Sequence, residues 1–221
     1  MKACPVASLV KRTYHHGDLR NALVSEALKL LEEQGAADFT LRDLASRVGV
    51  SHAAPYSHFE DKTALLAAVA VEGFHRLSAY LEQAVQENSD PTEQFVQMGQ
   101  AYVRFGTEHP ALYNLIFASE ELPEQRDKFP ELTEAGSAAF GMLTGMLGRM
   151  QQSGFLREGN LDGFGFAVWA LVHGLVSLIT TGHVECAGDC IEVEIGTTEE
   201  AVRASLLGML HGLKNPTSQT A

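Results

Sequence analysis

Helix punctuation recurs along this chain while strand signals are scarce, and that asymmetry constrains the fold more than any other feature. No run sustains period-2 alternation between hairpin turn residues. By contrast, Asp90-Pro91-Thr92-Glu93 puts a cap, a proline at the first helical position and an acid in the first turn. Thr197-Thr198-Glu199-Glu200 reads as a capping box, and Gly35 and Gly154 stand where helices should stop. The expected fold is therefore all-α, with about nine helices. They are predicted over Asp18–Gln34, Thr40–Arg47, Ser51–His58, Asp61–Glu87, Pro91–Thr107, Ala111–Ser119, Glu131–Ser153 and Leu161–Gly182, with the last opening at Thr197. The first three make a small unit, residues 14–62, and the rest a larger helical bundle, residues 63–214. The long fourth helix, with Leu65, Leu66, Val69, Phe74, Leu77, Leu81 and Val85 at helical spacing, would join them.

Charge separates the same two parts. Residues 1–62 carry equal numbers of basic and acidic side chains, so the net charge of -12 belongs entirely to the remainder. An acidic body repels a polyanion everywhere except at a neutral head, which favours one docking orientation. Three cysteines in 221 residues make no disulfide framework and fit a reducing compartment, so the cytoplasm is expected. The most apolar stretch, Phe164 to Ile179, is shorter than the roughly 20 residues that span a bilayer and contains His173. A buried helix is the expectation there, with no membrane partner. No Gly-rich nucleotide loop, nucleophile elbow or helical metal motif is present, which argues against an enzyme and against a cofactor.

The informative stretch is Thr40 to Phe59. Thr40 is placed to cap a short helix with Asp43 reciprocating, and Ala45 is small enough for a close crossing. Gly49 suits the positive φ of a three-residue turn, and Leu44, Val48 and Val50 would glue two helices together. Ser51 is expected to cap the next helix, which presents His52, Ala53, Tyr56, Ser57 and His58. Such a pair is either a plain helical corner or a helix-turn-helix whose second helix enters a major groove.

The flanking residues carry a resemblance. From Tyr14-His15-His16-Gly17-Asp18-Leu19-Arg20 through Phe59-Glu60-Asp61-Lys62-Thr63-Ala64-Leu65-Leu66, the chain resembles the DNA-binding domain of the TetR/AcrR family of transcription regulators. The resemblance implies phosphate contacts from Thr40, Tyr56 and Lys62, and base-edge contacts from His52, Ala53 and Ser57. It also implies a homodimer, formed by the last two helices, on a palindromic double-stranded operator, with repression relieved by a small-molecule effector. Pro55 departs from the family pattern, which more often has an aliphatic residue there, and removes one backbone hydrogen bond near the helix start. In the body, Trp169 with His173-Gly174, and His109-Pro110-Ala111-Leu112-Tyr113, resemble a Trp, His-Gly subclass of the family.

The resemblance implies an effector cavity within the body. Its candidate wall is Phe95, Met98, Tyr102, Phe105, Tyr113, Phe117, Met142, Met146, Phe166, Trp169 and His173, a set that helical spacing alone would assign to plain core. His183-x-x-Cys186-x-x-x-Cys190 is a loose metal or redox pattern on an acidic loop, so a metal- or redox-responsive regulator is one alternative reading. A helical interaction protein without DNA binding is another. No metal site is assigned.

Overall fold

In a computed structural model of the chain, residues 16–86, 90–119, 122, 128–183 and 197–215 are described. Eight α-helices and one 3-10 turn are found among them, and no β-strand. Helix α1 is His16–Gln34, α2 is Leu41–Val48, and the 3-10 turn is Ala54–Ser57. Then follow α3 (Lys62–Gln86), α4 (Pro91–Glu108), α5 (Pro110–Phe117), α6 (Pro130–Gln152), α7 (Leu161–Thr180) and α8 (Thr198–Leu213). The Tyr14-His15 pair and the Cys186/Cys190 pattern lie outside the described residues.

The punctuation acts as its chemistry requires. Asp90 accepts from the Glu93 amide at 2.9 Å, with Pro91 opening α4. Thr197 and Glu200 close a reciprocal capping box at the start of α8. His109, at φ -126 and ψ 56, breaks the chain between α4 and α5, where Pro110 cannot continue the helical bond pattern. Asn160, a cap not anticipated from sequence, accepts from the amides of Asp162 and Gly163 to open α7.

One prediction fails. The expected helix Ser51–His58 is a single 3-10 turn, and Ser51 does not cap it with its side chain. The Ser51 carbonyl accepts from Ala54 instead, at 3.0 Å, and the turn begins after Ala53. Pro55 supplies the physical reason. It donates no backbone hydrogen bond, and its ring is buried against the head core, so the chain tightens around it.

The helices share one hydrophobic cluster running from Leu19 to Leu213. Helix α3 packs on α1 near its start and on α4, α5 and α6 further along, while α4 lies between α3 and the pair α7 and α8. A bidentate pair between Arg203 of α8 and Glu93 of α4, at 2.5 and 3.0 Å, fixes the register of those two helices and lowers the Glu93 pKa. By length and composition α3 and α7 would both suffice to cross a membrane, yet α3 is buried along one face, from Leu65 to Ala84. Helix α7, expected to be a buried helix, is buried along one side: Phe164, Val168, Val172 and Val176 face inward, while Phe166 and Leu178 are exposed.

Two glycines test this packing in opposite directions. A Cβ on Gly106 of α4 would stand 2.6 and 2.8 Å from the two methyls of Val176, a buried β-branched side chain with little rotamer freedom. Gly106→Ala is expected to lower stability by about 1–3 kcal/mol in urea denaturation. A Cβ on the exposed Gly141 of α6 meets nothing within 4 Å, so Gly141→Ala should raise stability by up to about 1 kcal/mol. An unaffected Gly106→Ala would mean that α4 and α7 are not closely packed there.

Candidate functional site

The N-terminal head is assembled around α2. Thr40 and Asp43 form a complete capping box, with the Thr40 amide and hydroxyl donating to Asp43 Oδ2 at 2.8 and 2.7 Å and the Asp43 amide donating to Thr40 Oγ1 at 3.2 Å. These bonds hold the Asp43 carboxyl below its ordinary pKa. Gly49 adopts φ +81 and returns its amide to the Ala45 carbonyl, which ends the helix within one residue. Leu44 and Ala45 are fully buried under this turn. Arg47 reaches back to α1, 2.6 Å from Glu26 and 3.1 Å from Glu33, and its hydrogen bond lowers the Glu26 pKa.

The predicted DNA-facing residues divide by where this packing leaves them. Thr40, Ser51, His52, Ala53, Tyr56 and Ser57 are all exposed, with Tyr56 retaining 51 % of its accessibility. His52 Nε2 lies 3.1 Å from Ser46 Oγ, which links the turn to α2, and Ser57 donates to the Ala54 carbonyl at 2.7 Å. His58 is turned inward, its Nε2 buried and without a hydrogen-bond partner among the described residues. Lys62 is half-buried; its ammonium donates to the Ala37 carbonyl and lies 5.7 Å from the centroid of Phe39. That places Lys62 as a tie between the start of α3 and the loop before α2.

The body holds a half-open cavity of about 650 Å3. Helix α3 contributes Phe74, Leu77 and Leu81; α4 contributes Phe95, Met98 and Tyr102; α7 contributes Phe166, Trp169 and His173. Phe117 closes one end from α5. Of the predicted wall, Phe105 and Met146 are packed wholly in the core, Met142 is half-buried away from the cavity, and Tyr113 stands behind His173. Sequence reasoning missed the share of α3, and on α6 it named Met142 and Met146 where the helix in fact offers Thr133, Gly136, Ser137, Phe140 and Thr144. The clustering of small residues on α6 was the available signal, since a wall of Gly and Ser leaves space that Leu would fill.

A polar chain runs along one side of this apolar space. Trp169 Nε1 donates to the Tyr102 hydroxyl at 3.1 Å, and Tyr113 Oη and Tyr102 Oη lie 2.6 and 3.3 Å from His173 Nδ1. Burial pushes the Tyr102 phenol far up and the Tyr113 phenol up to about 12, so both keep their protons. Burial also lowers the His173 pKa, which favours the neutral imidazole.

Head and body meet at a second polar cluster. Glu32 of α1 accepts from Arg76 of α3 at 3.2 Å and lies 3.1 Å from His109 Nδ1, at the junction of α4 and α5. Tyr80 donates to Glu108 at 2.7 Å and lies 3.1 Å from His109 Nε2. Its phenol pKa is raised, chiefly by that bond to Glu108.

A short helix, a glycine turn and an exposed second segment make a helix-turn-helix-like head set on a helical body that holds a cavity. Residues 23–69 match the family "Bacterial regulatory proteins, tetR family", and residues 95–195 match "Tetracyclin repressor-like, C-terminal domain". The chain belongs to the TetR family. It is 47% identical to the class C tetracycline repressor protein of Escherichia coli over 51 residues, 23% of each protein, and 38% identical to the class D protein over 69 residues, 31% of this chain and 32% of that one. The matched region thus spans about a quarter to a third of those curated relatives. Among solved structures, a protein of unknown function from Rhodococcus sp. RHA1 is 32% identical, with a TM-score of 0.75 over 93% of this chain and 100% of that one. A TetR family transcription regulator from Marinobacter aquaeolei VT8 shares the fold at 18% identity and a TM-score of 0.64, over 89% and 95% of the two chains.

The capping box of α2 gives a direct test of how the head is held. Thr40→Ala is expected to lower stability in the absence of DNA by about 1 kcal/mol, and Thr40→Ser to restore it. Equal midpoints for the natural chain and Thr40→Ala would show that the cap contributes nothing.

Proposed function

We propose that this protein is a cytoplasmic, homodimeric transcription repressor that binds a palindromic operator through its head and releases it when a small molecule fills the body cavity. The observation that carries the reading is that Thr40, His52, Ala53, Tyr56 and Ser57 are exposed around the capped start of α2 and the turn that follows it, over a buried core. Phosphate oxygens would meet the unpaired amides at the start of α2 beside Thr40, together with the Tyr56 hydroxyl. His52, Ala53 and Ser57 are exposed on and beside the 3-10 turn and would meet base edges in the major groove. Lys62 acts in this reading by fixing the start of α3. The 3-10 turn presents its side chains over a shorter length than a helix would, so few bases are read directly and more of the affinity comes from phosphates.

Dimerisation is supported by the outer faces of α7 and α8. Leu178 and Leu207 are exposed, and a Cβ on Gly174, Gly208 or Gly212 would meet nothing within 4 Å, so a second copy can approach closely there. Such a four-helix contact would set the two heads one DNA turn apart and would cover the apolar face of α7. The Trp, His-Gly subclass is supported by Trp169 and His173 packing ring against ring, with centroids 5.4 Å apart. Neither catalysis nor a cofactor enters the reading.

Signalling follows from α3. Its first turns pack on the head while Phe74, Leu77 and Leu81 form cavity wall, so a ligand that moves that wall tilts the head. Switching requires a coupling free energy of about 1–3 kcal/mol, and operator must then weaken effector binding by the same factor.

Band shifts on duplexes selected from random sequence test the recognition surface. Tyr56→Phe should weaken binding about three- to tenfold on every sequence with an unchanged salt slope, because a neutral donor is lost. His52→Ala should relax preference at one position in each half-site by about 1–3 kcal/mol. A selection profile and affinities identical to those of the natural chain in both variants would remove this surface from the interface.

A further inference from the structure

The polar chain beside the cavity fixes what the imidazole of His173 can offer. Trp169 Nε1–H donates to Tyr102 Oη, the Tyr102 hydroxyl is hydrogen-bonded to Tyr113 and lies 3.3 Å from His173 Nδ1, and the Tyr113 hydroxyl lies 2.6 Å from that nitrogen, so three protons meet three acceptors. The bonds close one to one only if Nδ1 is bare. A proton on Nδ1 would remove the acceptor facing the Tyr113 hydroxyl and leave one of the four donors without a partner, at a cost comparable to a lost buried hydrogen bond. A neutral imidazole with a bare Nδ1 carries its proton on Nε2. Among the described residues no hydrogen bond reaches that Nε2, and His173 lines the cavity.

The rest of the wall is uncharged. No Lys, Arg, Asp or Glu stands among the described residues that line the space, which is bounded mainly by Phe, Leu, Trp and Met side chains, with the neutral hydroxyls of Thr133, Ser137 and Thr144 on the α6 side. A ligand with a formal charge would lose its hydration with no opposite charge to replace it, a cost of several kcal/mol. A wholly apolar ligand would leave the Nε2–H unpaired on closing over it.

We propose that the effector is an uncharged molecule with an apolar body and a carbonyl-type oxygen, seated with that oxygen accepting from His173 Nε2–H. This deepens the proposed function and rests on its assignment of the cavity as the effector site. Trp169 reports binding directly, because it is the sole tryptophan of the chain and part of the wall. The exposed Phe166, edge-to-face with Trp169 at 5.9 Å, places that wall near the cavity mouth.

The test titrates Trp169 emission with three probes of equal chain length: 2-decanone, decanoate and decyltrimethylammonium. The neutral ketone is expected to bind at least about tenfold more tightly than either ion, and His173→Phe to weaken it about tenfold by removing the donor while keeping a ring. Tyr113→Phe serves as a second variant. It frees Nδ1 to take the proton, so ketone affinity should fall by a smaller factor while the fold, checked by circular dichroism, is kept. Tighter binding of either ion, ketone binding indifferent to His173→Phe, or no emission change with any probe would overturn the proposal. Band shifts with the same ketone separate the two readings: ketone binding that depends on His173 but leaves operator affinity unchanged would uphold the ligand chemistry and defeat the switching role.

Discussion

Everything in this molecule hangs on α3 being one uninterrupted helix with a buried face along its whole length. Leu65, Leu66 and Val69 bury their side chains near the head, and Phe74, Leu77 and Leu81 continue the same face into the body. A fully buried Leu or Phe contributes about 1.5–3 kcal/mol, so this stripe outweighs any of the exposed ion pairs at the junction. The contacts there, Arg76 paired with Glu32 and the His109 ring hydrogen-bonded beside it, set geometry more than stability.

The same helix is why the cavity matters. A space of about 650 Å3 inside a helical body would collapse if its walls were flexible, yet its lining is drawn from five helices that are each tied elsewhere. Glu93 and Arg203 hold α4 to α8, and the Asn160 cap anchors the start of α7. An open volume beside a fixed hydrogen-bond chain is an arrangement for recognising a molecule, whereas a core built for stability alone is filled to close packing. The distribution of charge completes the picture, with a neutral head and an acidic body favouring one orientation toward a polyanion.

Helix ends were legible in the sequence because caps are local chemistry. Thr40 with Asp43, Asp90 before Pro91, and Thr197 with Glu200 each acts within four residues of itself, and each forms as read. The segment after Gly49 was not, because a buried proline ring overrode a helical pattern; the cost depended on what Pro55 packs against, which sequence does not display. The cavity wall was half legible. Aromatic residues on α4 and α7 announced themselves, whereas Phe105 and Met146 look alike in sequence and are plain core. Lys62 could be placed on a helix start from its spacing, but its engagement with Ala37, distant along the chain, is a tertiary fact.

The central claim is that head and body are one mechanical unit joined through α3. Thermal unfolding followed at once by far-ultraviolet circular dichroism, which sees every helix, and by Trp169 emission, which sees the body alone, tests it directly. The account predicts one transition with coincident midpoints. An earlier transition in circular dichroism with no counterpart in Trp169 emission would show that the head melts independently and would contradict it.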